Sequence, residues 1–226
     1  MTRKADVFAH VCRYALVGVV REESVDDAFN VARAFVENGI RTLEITLTTP
    51  EPFFLIAKMV ELYAPLGTVI AAGTVRASND AAEARRAGAE ILVSPHTDFR
   101  VIDYALEHEL LCVAGAATPT EIIRAWEAGA SIIKIYPAPQ LGGPEYLRVV
   151  QQPIRDVPML AGGPVSIEAI DAYLDAGAVA VNLGASLAVP SLVAAKNWDE
   201  IGKRVARAVQ TVENRTADTS TPAVVH

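Results

Sequence analysis

Cysteine is scarce in this sequence: Cys12 and Cys112 are the only two among 226 residues, too few for the disulfide framework of a small secreted fold. No CxxC or HExxH spacing accompanies the four histidines, so the usual sequence signs of a metal site are missing. Aromatic residues, at 6%, are too sparse for a base-stacking surface. Lysine and arginine never gather into a run, and a net charge of −7 repels polyanions, which argues against nucleic acid and anionic membrane as partners. No apolar stretch approaches the roughly 18 residues of a membrane span. The N-terminal "MTRKADVFAHVCRYALVGVV" is interrupted by charge and lacks the cleavage site of a secretory leader. These absences predict a cytoplasmic protein in a reducing compartment, with no metal and no cofactor.

What is present is an ordinary globular composition, 51% hydrophobic and 21% charged. Eight short apolar runs recur: "ALVGVV" from Ala15, "IRTLEITL" from Ile40, "TVIAA" from Thr68, "ILVS" from Ile91, "LLCVAG" from Leu110, "SIIKIY" from Ser131, "VPMLAGG" from Val157 and "AVAVNLG" from Ala178. Between them lie segments of helical periodicity, such as "SVDDAFNVARAFVENG" and "SNDAAEARRAGAE". Glycines after Asn38, Ala87, Ala128 and Ala176 read as helix C-caps. Continuous apolar strands alternating with helices imply a parallel sheet buried on both faces. Eight units at a period of roughly 23 residues match a (β/α)8 barrel. A doubly wound sheet alternates too, but the repeated "AGA" before three of the strands favours repeated units of one kind. The expected architecture is one barrel domain over residues 1–213 with an extra N-terminal helix, followed by a polar, flexible tail over 214–226.

Lys134 stands inside the apolar run "SIIKIYPAP". A lysine among isoleucines loses hydration, and desolvation disfavours the ammonium form. In a barrel, strand side chains alternate between the interior and the helix layer, and chemistry collects at the C-terminal strand ends. If Ile133 and Ile135 face the helices, Lys134 points inward with Ile132 and Tyr136. The same parity in "TLEITL" sends Leu43, Ile45 and Leu47 outward and Glu44 and Thr46 inward. An amine and a carboxylate then share the interior. They form either a structural ion pair or a lysine nucleophile beside a proton-moving carboxylate. The second pairing is the one aldol cleavage requires: an iminium withdraws electrons, a carbon–carbon bond breaks, and an enamine is left.

"LAGGPVS" (160–166) and "NLGASL" (182–187) follow the seventh and eighth strands. Singly, such glycines are turns; together they coincide with the barrel phosphate site. There Ser186 adds either a hydroxyl donor or a helix cap. "AAGTV" ends the third strand and is a turn or a ligand contact. His96 in "SPHTD" has no second ligand at a fitting spacing. Arg21 is either a solvated charge beside Glu22 and Glu23 or a carboxylate partner at the mouth.

From about Ala15 to Arg207 the chain resembles the bacterial 2-keto-3-deoxy-6-phosphogluconate aldolase family and its phosphogalactonate and 4-hydroxy-2-oxoglutarate relatives. The resemblance rests on "LEITLTTP", "AAGTV", "VSPH", "AGAATPTE", "IIKIYPAPQLGGPEYL" and "LAGGPVS". It implies a class I, metal-independent aldolase with a (β/α)8 barrel, usually a homotrimer, that reversibly cleaves a 2-keto-3-deoxy-6-phospho sugar acid to pyruvate and glyceraldehyde 3-phosphate. It further implies Lys134 as the Schiff-base lysine and Glu44 as the general acid/base. Gly162, Gly163 and Ser186 match the phosphate-binding positions, Thr74 and Pro95 line the pyruvate portion, and Arg21 lies near the substrate. The alternatives are 4-hydroxy-2-oxoglutarate cleavage and a catalytically silent sugar-phosphate-binding barrel. Two positions depart from the phosphogluconate pattern: Thr48 replaces an arginine and Ala161 a threonine, and "EITLTTP" is closer to the phosphogalactonate "EIPLNSP".

Overall fold

The computed structural model describes residues 3–219. Each of the eight apolar runs forms a strand: β1 Leu16–Val20, β2 Thr42–Thr46, β3 Val69–Gly73, β4 Ile91–Val93, β5 Leu111–Ala116, β6 Ile132–Ile135, β7 Met159–Ala161 and β8 Ala180–Leu183. Neighbours pair in chain order into a closed barrel. Closure is the parallel pairing of β1 with β8, in the register Leu16↔Val181 and Val17↔Asn182. That pairing removes the doubly wound alternative.

Helix α1 (Arg3–Tyr14) precedes the barrel. The helices that follow are α2 Val25–Glu37, α3 Pro52–Tyr63, α4 Ser78–Arg86, α5 Phe99–Glu107 and α6 Pro119–Glu127. After them come α7 Gly143–Gln151, α8 Ile170–Asp175, α9 Pro190–Ala194 and α10 Trp198–Thr219. The four glycines read as caps all adopt positive φ, from 96° at Gly88 to 111° at Gly39. In each the next residue's N–H reaches back to the last turn, as Ala89 does to the Ala84 carbonyl at 3.0 Å and Ala130 to the Ala125 carbonyl at 3.1 Å. This double closure satisfies the orphan carbonyls of a helix end and aims the chain into the next strand.

Strand parity divides the apolar residues into two cores. Leu43, Ile45, Ile133, Ile135, Val181 and Leu183 pack between strands and helices. Val17, Ala71, Val113, Ile132 and Leu160 fill the barrel interior, where Val7 and Val11 of α1 join them. The N-terminal helix is thus the plug of the barrel's lower end. Burying a valine contributes about 1.5–3 kcal/mol, so its two inward valines help to seat it.

Helix α10 runs past the domain boundary expected at residue 213. Ile201, Val205, Ala208 and Val212 form a buried stripe along it, a spacing that keeps one face on the barrel. Beyond the stripe Arg215 pairs with Asp171 at 3.2 Å and Asp175 at 2.6 Å on α8. Part of the segment read as tail is therefore helix; 220–226 lie outside the described residues.

Gly115 on β5 sits beneath the loop that follows β4: a Cβ there would lie 2.3 Å from the Pro95 carbonyl carbon. That atom is backbone and cannot rotate away. Gly115→Ala is expected to destabilise the protein by about 1–3 kcal/mol through overpacking, read as a lowered melting temperature against wild type.

Candidate active site

The C-terminal end of the barrel opens into a cavity of about 650 Å³, within the range of small-molecule sites. A smaller hollow of about 330 Å³ by Cys12 and Arg13 lies at the α1 end, away from the strand ends where barrel chemistry collects. Lys134 reaches the large cavity from β6 and Glu44 from β2, as the alternation requires. Their Nζ and Oε1 are 3.6 Å apart, and the two residues are 8% and 1% exposed. The Lys134 ammonium also lies 5.6 Å from the Tyr136 ring centre, a cation–π distance.

Both charged side chains lie over glycines of neighbouring strands or loops. A Cβ at Gly73 would stand 2.2 Å from Glu44 Oε1, and one at Gly162 would stand 2.6 Å from Lys134 Cε. Any larger residue at either place would displace the side chain that carries the charge. Gly162, expected at the phosphate, gives room to the lysine stem. Gly163, with φ 117°, does line the cavity, as do Gly184, Ala185 and Ser186.

Ser186 Oγ is buried with no hydrogen-bond partner among the described residues. Its carbonyl accepts from Arg204 Nε at 3.1 Å and Nη2 at 2.7 Å, which fixes the loop from behind. Arg21 borders the cavity from β1 and donates to Thr74 Oγ1 at 3.3 Å. Thr74 holds φ 59°, a left-handed conformation that is strained for a β-branched residue. Pro95 is over Gly115 and off the cavity wall, and His96 is held beside Ser94 at 3.3 Å. Thr48 hydrogen-bonds Thr46 at 3.0 Å, so a hydroxyl network stands where the expected arginine would be. Ala161 is buried in the strand–helix layer, and its departure leaves the cavity wall unchanged.

Sequence reading brought Lys134, Glu44, Arg21, Gly163 and Ser186 to one cavity, with Thr74 joined through Arg21. It passed over Asn182, whose Nδ2 donates to Glu44 Oε2 at 2.8 Å. The signal was available, because the parity that turns Lys134 inward also turns Asn182 inward from "AVAVNLG". It also passed over Glu22 as a site group. Burial, with the charges of Asp27 and Glu23, pushes this carboxyl up to about 6, and all three acids border the cavity. Among the described residues no group of three His, Cys, Asp or Glu side chains is placed to hold a metal ion.

A family model described as KDPG and KHG aldolase matches residues 8–204. The 2-dehydro-3-deoxy-phosphogluconate aldolase of Treponema pallidum (strain Nichols) is 33% identical over 168 residues, 74% of this chain and 79% of that protein. The probable 2-dehydro-3-deoxy-6-phosphogalactonate aldolase of Rhizobium meliloti (strain 1021) is 33% identical over 180 residues, covering 79% and 84%. A native KDPGal structure superposes with a TM-score of 0.80 at 27% identity, covering 90% of this chain and 96% of that one. With the family model spanning most of the barrel, the chain belongs to the KDPG and KHG aldolase family.

Proposed function

We propose that the chain is a class I aldolase that cleaves a 2-keto-3-deoxy-6-phospho sugar acid, of the gluconate or galactonate type, to pyruvate and glyceraldehyde 3-phosphate. The observation that carries this reading is the buried Lys134–Glu44 pair at the floor of an open cavity. The Lys134 amine adds to the C2 keto carbon, and the carbonyl oxygen leaves as water with a proton passed through Glu44. The resulting iminium is the electron sink. The Glu44 carboxylate then takes the proton of the C4 hydroxyl, the C3–C4 bond breaks, and its electron pair forms the enamine as the aldehyde departs. Protonation at C3 and hydrolysis release pyruvate and restore the amine.

The Ser186 hydroxyl and the loops after β7 and β8 support a phosphate at the far end, where N–H groups can hold an anion. Arg21 supports the substrate carboxylate. 4-Hydroxy-2-oxoglutarate remains the alternative substrate, and side-by-side cleavage assays with pyruvate release as readout separate it from the two phosphorylated acids. A silent sugar-phosphate-binding barrel is the alternative without catalysis.

We also infer a homotrimer working in the cytoplasm. Phe54, Leu62 and Leu66 are large apolar side chains exposed on and after α3, which supports association. Cys12 and Cys112 are free thiols, and burial pushes Cys112 up to about 12; such thiols suit a reducing compartment. Among the described residues no helix is long and apolar enough to cross a membrane.

Borohydride reduction in the presence of pyruvate is expected to leave a pyruvyl adduct on Lys134, located by peptide mass analysis. An adduct only on another lysine would overturn the assignment, and absence of any adduct would favour the silent barrel. Glu44→Gln should still trap pyruvate while losing about 10²–10⁴-fold in turnover. Arg21→Ala should raise KM for the phosphorylated acid by about 1.5–3 kcal/mol in binding terms with little change in melting temperature. Unchanged KM and kcat would make Arg21 a solvated charge.

Glu22 generates a pH prediction. Its carboxyl is neutral below about 6 and charged above, while a phosphate monoester takes its second charge at about 6 as well. Repulsion across the cavity therefore grows as pH rises through that value. KM for the phosphorylated acid should increase over this window in wild type, and Glu22→Gln should flatten the increase. Identical pH profiles in the two proteins would place Glu22 outside the anion's field.

A further inference from the structure

Only half of the Asn182 side-chain amide is accounted for. Nδ2 donates to Glu44 Oε2 at 2.8 Å, but Oδ1 is buried without a hydrogen-bond partner among the described residues. Thr42, two residues before Glu44 on the inward face of β2, has its Oγ1 in the same condition. The two residues are 3% and 1% exposed. A buried polar atom left unsatisfied is costly, and the small cavity that these residues border, beside Val11 of α1, offers no relief because its lining is otherwise apolar, with Val17, Ile91 and Leu160 among its walls.

The amide has one workable orientation, because turning Oδ1 toward Glu44 would set two acceptors face to face.

We propose that Asn182 is a positioning residue that holds Glu44 Oε2 and leaves Oε1 to carry the proton beside Lys134. This division of labour between the two oxygens rests on the aldolase reading above. It explains why an amide stands at 182 in an otherwise apolar strand.

The charged and titratable groups facing Glu44 are Lys134 and Tyr136 from β6 and, across the open cavity, Arg21, Glu22, Glu23 and Asp27. None of these changes in Asn182 variants, so a moved pH profile reports the 182–44 contact. The experiment is the pH dependence of kcat and KM for wild type, Asn182→Leu, Asn182→Asp and Asn182→Ser, with borohydride trapping on each.

Asn182→Leu should lower kcat by about 10- to 10²-fold, as expected when a reacting group loses its placement, with KM little changed and pyruvate still trapped on Lys134. Its acid limb should move to higher pH because a donor to the ionised carboxylate is gone, and further still in Asn182→Asp because a like charge is added. Asn182→Ser, which keeps a donor, should recover part of kcat. If Asn182→Leu does not fold, Asn182→Asp and Asn182→Ser read the same contact. Wild-type kcat and pH profile in the variants, with only melting temperature lowered, would reduce Asn182 to a structural residue. Failure of wild type to trap pyruvate would instead defeat the aldolase reading, and this inference with it.

Discussion

The buried pairing of Lys134 with Glu44 is the interaction on which the rest of the barrel mouth depends. Taking either ion out of water costs several kcal/mol, and mutual attraction offsets that only with further hydrogen bonds in place. Glu44 has Asn182 on its second oxygen, and Lys134 has the Tyr136 ring and an opening to solvent. Removing one partner of such a pair strands the other, a change that costs about 3–5 kcal/mol. The arrangement is therefore a weak source of stability and a strong constraint on everything that touches it.

That constraint divides the barrel along its axis. The lower interior is filled by valine, isoleucine and leucine and closed by α1, so it carries the packing energy. The upper interior must hold two long side chains and a substrate, and it gains the space by deleting side chains. Gly73 makes room for the Glu44 carboxylate, Gly162 for the Lys134 stem, and Gly115 for the loop that carries Pro95. These three glycines are volume allowances in space. Stability is concentrated below the charged pair and adaptability above it.

Most of this was legible because a strand in a closed barrel obeys a period of two. One lysine in "SIIKIY" and one glutamate in "TLEITL" were enough to place both charges inside, and four glycines marked the helix ends. What the sequence did not show depends on closure. Asn182 on β8 meets Glu44 on β2 only because β1 pairs with both neighbours, a contact 138 positions apart in the chain. The packing of Gly162 against the Lys134 stem and of Gly115 beneath the Pro95 carbonyl was hidden too, because glycines in such different places look alike in a string of letters. The reach of α10 past residue 213 was hidden for another reason. The polar composition of "NRTADT" hid the pairing of Arg215 with two acids of α8.

The charge at the mouth bears on how an acidic protein recognises an anion. Arg21 and Lys134 are the cations on the cavity wall, facing Glu22, Glu23 and Asp27. Asp27 is paired with Lys196, which leaves the two glutamates as the opposing field, and Glu22 is neutral below about 6. The hydroxyls of Thr46, Thr48 and Thr49 bond one another where an arginine was expected, so no second guanidinium offsets the field there. In the proposed reading the far end of the substrate must rest on N–H groups and the Ser186 hydroxyl of two loops. Such donors act over short distances and in fixed directions, whereas the field of exposed carboxylates is screened by water and salt. A net charge of −7 is then compatible with an anionic substrate, because recognition is confined to a few ångströms around the loop that Arg204 holds from behind.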